Sequence, residues 1–190
     1  MPETTSSSPR RLLPVLLRRW PSATAAVVAA LSWGANDSPD GARSMAELLL
    51  LLPLLYLVVT RLRRRASSWP VLFVLFGSLL TLRVLDVIEP SAVLAGVALL
   101  VLIWGALDIE LLKEGEFGIQ ALGMILFGAF ALAGLIMNPV LGQYAVAAGF
   151  FLHGIWDFFY LKHDKVVSRS YAEWCGVFDI LIAVQLLITL

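Results

Sequence analysis

The chain has a single cysteine, Cys175, so no intrachain disulfide can form and the redox compartment is not legible from sulfur chemistry. Charge is scarce: 15% of the 190 residues are charged, against about 25% in ordinary soluble domains. Histidine is scarcer, with only His153 and His163. No H-E-x-x-H, G-x-S-x-G, Walker or C-x-x-C motif occurs, so the common zinc-peptidase, serine-hydrolase, nucleotide-hydrolase and dithiol chemistries have no sequence support. There is no internal repeat of useful quality, and the polar separators are too short to hold a second domain.

Apolar residues are abundant, at 59% of the chain. A chain of this size cannot bury that much apolar surface within one small globule, because much of its surface stays exposed. Its solvent is therefore expected to be lipid. A spanning helix needs about 20 mostly apolar residues, and the candidate spans cover residues 22–36, 46–61, 70–88, 91–109, 118–138, 140–161 and 170–190. Pro70, Pro90 and Pro139 fall at starts or joins, where a missing N–H costs little; Pro53 falls inside the second span, where a kink is expected. The first span is short and alanine-rich and follows two arginine pairs, which is also the pattern of a signal peptide.

Threading seven spans from a cytoplasmic N-terminus puts 12 of the 14 basic residues on one side; Arg43 falls on the other and Arg83 within a span. The positive-inside rule makes the rich side cytoplasmic. The expected fold is thus all-α: a polytopic integral membrane bundle of about seven helices in the plasma membrane, N-terminus cytoplasmic and C-terminus outside. Residues 1–20 form a basic, disordered cytoplasmic tail and residues 21–190 one transmembrane domain. The formal net charge of zero is uninformative, since the charges are segregated. The expected partners are the bilayer and a lipid-soluble molecule or small solute, with no nucleic acid.

The stretch GFFLHGIWDFFYLKHDK, residues 149–165, places polar groups on an apolar helix. Residues advance about 100° each, so Asp157 lies roughly 40° from His153, and Tyr160 and Asp164 extend the same stripe. His153 sits near mid-membrane, and Asp179 on the last span reaches a similar depth, with Cys175 one turn below and Glu173 and Tyr171 lower. Ionisable groups at that depth mark functional sites by default, although a His–Asp bond can also join helices. Trp104 and Asp108 repeat an i,i+4 pair on the fourth span, where Asp108 either joins the inner cluster or is solvated at the helix end. Arg83 and Asp86, at i,i+3, are expected to form a structural ion pair in the outer half, near Glu47 and Gln143.

The candidate catalytic residues are therefore His153, Asp157, Asp179, Tyr160 and Asp108, with Trp104, Trp156, Trp174 and Cys175 lining a substrate pocket. His153 would act as acid and base, with a carboxylate fixing its tautomer. The expected activity is acid–base chemistry on a lipid-soluble substrate. The alternatives are a proton- or metal-coupled transporter or channel using the same residues, and a non-catalytic assembly or sensor subunit. Against a transporter stand the odd span count and the missing repeat. Histidines with carboxylates suit zinc, iron or manganese. His163, however, is about 15 Å from His153 along a regular helix, so no metal ligand set is assigned.

Overall fold

The computed structural model describes residues 19–33, 39–108, 113 and 115–189. Among them are seven α-helices and no strand: α1 (Trp20–Leu31), α2 (Pro39–Leu62), α3 (Ser68–Leu85), α4 (Pro90–Ala106), α5 (Glu116–Ile136), α6 (Pro139–His163) and α7 (Arg169–Ile188). A 3₁₀ turn, Arg65–Ser67, leads into α3. Prolines open α1, α4 and α6, where the fixed φ suits a first turn. Asn138 caps α6 by accepting a hydrogen bond from the Leu141 N–H at 3.0 Å. Asp86 and Asp164 end α3 and α6 in left-handed conformations (φ 49° and 52°), their N–H groups turned back to Leu82 O and Tyr160 O.

Five helices are long and apolar enough to cross a membrane: α3 together with its leading turn, α5, α6, α7 and Arg43–Leu62 of α2. The other two, α1 and α4, are apolar but only 12 and 17 residues long. The second element starts at Pro39, well before the residue 46 expected, and stays helical through Pro53.

The apolar pattern of α2 surrounds the whole helix, and its position follows. Leu49, Leu50, Leu51, Leu52, Leu54 and Leu55 are all buried, because α2 packs against α3, α4, α5 and α6 at once. Some 78% of its apolar window is covered by protein, against 11% for α3. α3 instead presents Phe73, Val74 and Phe76 outward. An apolar exterior of this kind, with polar groups turned inward, inverts a water-soluble surface.

α6 and α7 make the most extensive helix pair. Gly154 and Gly176 let them approach, since a Cβ at Gly154 would stand 3.2 Å from the Gly176 carbonyl oxygen. α1 packs on α7, with Ser22 Oγ donating to Glu173 at 2.5 Å and Gln185 Nε2 donating to the Ala29 carbonyl at 2.6 Å. Ion pairs collect at one end of the bundle: Arg65–Asp164, Lys165–Glu116, Arg61–Asp108 and Arg19–Glu173. At the other end Arg43 and Arg83 meet Glu89 and Glu47.

Candidate functional site

The α6–α7 pairing decides the geometry of the polar stripe. His153 and Asp157 stand one turn apart on α6, and Asp179 faces them from α7. His153 Nδ1 lies 2.7 Å from Asp179 Oδ2 and 3.2 Å from Asp157 Oδ2. All three side chains are fully buried. α2 supplies a fourth group: Tyr56 donates its hydroxyl to Asp157 Oδ1 at 2.5 Å. One imidazole N–H therefore faces two carboxylates, which it cannot serve equally. Two carboxylates beside one imidazole leave a negative charge to balance, which a proton or a cation can do.

Two polar atoms of the cluster are unsatisfied: His153 Nε2 and Asp179 Oδ1 have no hydrogen-bond partner. The His153 ring is instead flanked edge-on by Phe127 at 4.8 Å and Tyr56 at 5.7 Å between centroids. Buried polar atoms without partners are rare in native proteins and call for an explanation. His153, Asp157 and Asp179 each offer one ligand atom, and these atoms lie within 4.8 Å of one another. Comparison with protein-family models, curated proteins and solved structures finds no match.

Two apolar cavities lie near the cluster without opening into it. One, of about 540 Å³, runs between α5 and α6 and is walled by Phe127, Trp156 and Tyr160, with Glu116, His163 and Lys165 at its polar end. Phe127 is the ring between that cavity and His153. The other, of about 580 Å³, lies among α1, α2, α3 and α7 and includes Trp20, Trp69, Trp174 and Arg83.

The remaining candidates are dispersed. Tyr160 is buried, accepts a hydrogen bond from Gln120 Nε2 at 2.6 Å and packs on Tyr56. Cys175 is buried one turn from Asp179, with the Tyr171 hydroxyl beside it. Asp108 does not join the cluster: it follows α4 and meets Arg61 at 3.5 Å. Trp104 is half exposed and lies 4.1 Å under the Arg61 guanidinium, so it lines no pocket with Trp156. Trp174 stacks on Phe178 at 5.1 Å in the second cavity. The three tryptophans expected in one pocket thus occupy three places, because they stand on three helices, α4, α6 and α7, with different neighbours.

His163 is exposed, its Nδ1 2.8 Å from the Phe159 carbonyl oxygen, at the end of an unbroken α6. Asp164 leaves the stripe because the helix ends in its left-handed turn, and it pairs with Arg65. The expected Arg83–Asp86 pair does not form. Asp86 lies past the last helical residue, so i,i+3 geometry does not reach it. Arg83 donates to Glu47 Oε2 on α2 through Nε at 3.1 Å and Nη2 at 2.7 Å.

Sequence reasoning passed over Tyr56 and Gln120, and it placed Glu47 near Arg83 without making it the partner. Tyr56 had a signal: it carries the one polar side chain in LLLLLPLLYLVV. Gln120 similarly interrupts an apolar helix.

Proposed function

We propose that the chain is an integral membrane enzyme in the cell membrane, N-terminus cytoplasmic, that carries out acid–base chemistry on a lipid-soluble substrate at the His153/Asp157/Asp179 centre. The observation that carries this reading is the pair of unsatisfied atoms, His153 Nε2 and Asp179 Oδ1, in a fully buried cluster. Polar groups that merely join helices have every reason to be saturated, since an unmade bond in hydrocarbon is costly. A centre that exchanges protons or binds a reactant keeps bonding capacity in reserve.

The surroundings favour a substrate from the bilayer. The cavity separated from His153 by Phe127 is lined mainly by Ile119, Leu126, Leu152, Ile155 and aromatic rings. All four of these aliphatic residues are also exposed on the bundle's apolar exterior, so the cavity faces hydrocarbon along that side and charged groups at its Glu116–Lys165 end.

The test compares lipid extracts of cells expressing the wild type and His153→Ala at equal levels, by mass spectrometry. A lipid species formed or consumed with the wild type alone is the expected result. Identical profiles, with His153→Ala merely less stable in detergent, would return the cluster to a structural role.

A further inference from the structure

The donors of this cluster suit one class of cation. We propose that His153 Nδ1, Asp157 Oδ2 and both oxygens of Asp179 form a site for one divalent first-row transition ion of the zinc, manganese or iron class. The inference does not require the enzyme reading.

Four features lead there. First, the donor atoms already converge. Zinc binds nitrogen and carboxylate oxygen at about 2.0–2.2 Å, which sets neighbouring donors roughly 3–3.5 Å apart. The two Nδ1–Oδ2 separations are 3.2 and 2.7 Å and all three ligand atoms lie within 4.8 Å of one another, so the N–O pairs are within a few tenths of an ångström of that spacing. Second, charge balances. Two carboxylates and a neutral imidazole hold a dication with no net charge, which matters for groups with no exposure to solvent.

Third, the site explains an orphan. Asp157 Oδ1 is engaged by Tyr56, so Asp157 ligates through one oxygen. Asp179 Oδ1 has no partner and completes a two-point carboxylate ligand, which brings the protein donors to four without any water. Fourth, Tyr56 is the kind of outer-shell donor that orients a ligating carboxylate. Imidazole among the donors favours transition ions over magnesium or calcium, which take oxygen shells. With the ion in place His153 Nδ1 is a ligand and carries no proton.

The experiment measures metal in the untagged full chain purified in detergent. Elemental analysis is expected to find one zinc, manganese or iron ion per chain in the wild type and almost none in Asp179→Asn. Tyr56→Phe should keep the site but weaken it about 10–100-fold, as loss of an outer-shell partner does. Because Asp179→Asn can also fail to fold, chelator-treated wild type is titrated with cobalt(II) chloride. A visible absorption band that saturates at one equivalent, with a rise in melting temperature, supports the site. A metal-free wild type that gains no band with cobalt, or equal metal in wild type and folded Asp179→Asn, would overturn it and leave a shared proton between the carboxylates. Metal binding in a protein whose expression leaves the lipid profile unchanged would separate the site from the enzyme reading.

Discussion

At residue scale, several buried polar side chains are answered from another helix, and each such pairing predicts a cost of removal. Tyr56→Phe deletes the hydroxyl that satisfies Asp157 Oδ1 and nothing else of its shape. A buried acceptor left unmade costs about 1–3 kcal/mol, so thermal unfolding in detergent should come at a measurably lower temperature; an unchanged midpoint would mean that Asp157 is otherwise satisfied. Arg83→Leu should cost about 1–2 kcal/mol, less than the roughly 3–5 kcal/mol for leaving a buried charge unpaired, because buried Glu47 keeps Arg43 3.7 Å away. Asp86→Asn should fall within about 0.5 kcal/mol, as surface changes do, and Glu47→Gln combined with Arg83→Leu should recover part of the loss. Equal effects of Arg83→Leu and Asp86→Asn would restore the pair that the α3 terminus argues against. At the charged end, Arg65 hydrogen-bonds the Asp164 carboxylate and holds it below its ordinary range. A depressed folded pKa contributes stability above the unfolded value near pH 4 and loses it as pH falls through the folded value. The melting difference between wild type and Asp164→Asn, small for an exposed pair, should therefore shrink below about pH 4.

At the scale of elements, close approach of backbones is set by glycine. A Cβ on Gly142 would stand 2.9 Å from the Gly134 carbonyl oxygen where α5 meets α6. That neighbour is backbone and cannot swing aside, so Gly142→Ala is expected to destabilise by about 1–3 kcal/mol. Gly96, on α4, has nothing within 4 Å of the same position. Gly96→Ala should be neutral or stabilising by up to about 1 kcal/mol, since glycine disfavours a helix interior. Unfolding temperatures that fall equally for the two variants would refute this account of the α5–α6 contact. The same logic gives α1 its place: a short helix held on α7 by Glu173 at one end and Gln185 at the other is an integral part of the bundle.

At the scale of the whole molecule, the proposed threading follows from the segregation of arginine and lysine. Ser67, in the turn before α3, belongs to the arginine-rich end, and Ser38 lies outside the described residues. Cysteine introduced as Ser38→Cys should react with a membrane-impermeant maleimide in intact cells, and Ser67→Cys should react only after lysis. The native Cys175 is buried and should contribute little background. Labelling of Ser67→Cys in intact cells would reverse the orientation.

Composition and period determined the class of this protein by themselves: 59% apolar residues in runs of helical length admit little besides a bundle of apolar helices. The helical period also set His153 and Asp157 on one face, and residue counting placed Asp179 level with them, because along a single helix angle and rise are fixed by backbone hydrogen bonding. What sequence could not supply was the rotation of each helix about its axis and the identity of its neighbours. Those depend on how whole surfaces pack, with α2 at the centre and α6 close on α7 through Gly154 and Gly176. Only that packing brought Tyr56 to Asp157, sent Arg83 to Glu47 and scattered Trp104, Trp156 and Trp174 among separate surroundings. Period sets angles within one helix, and contacts between helices are decided by burial, which is a property of the assembled bundle.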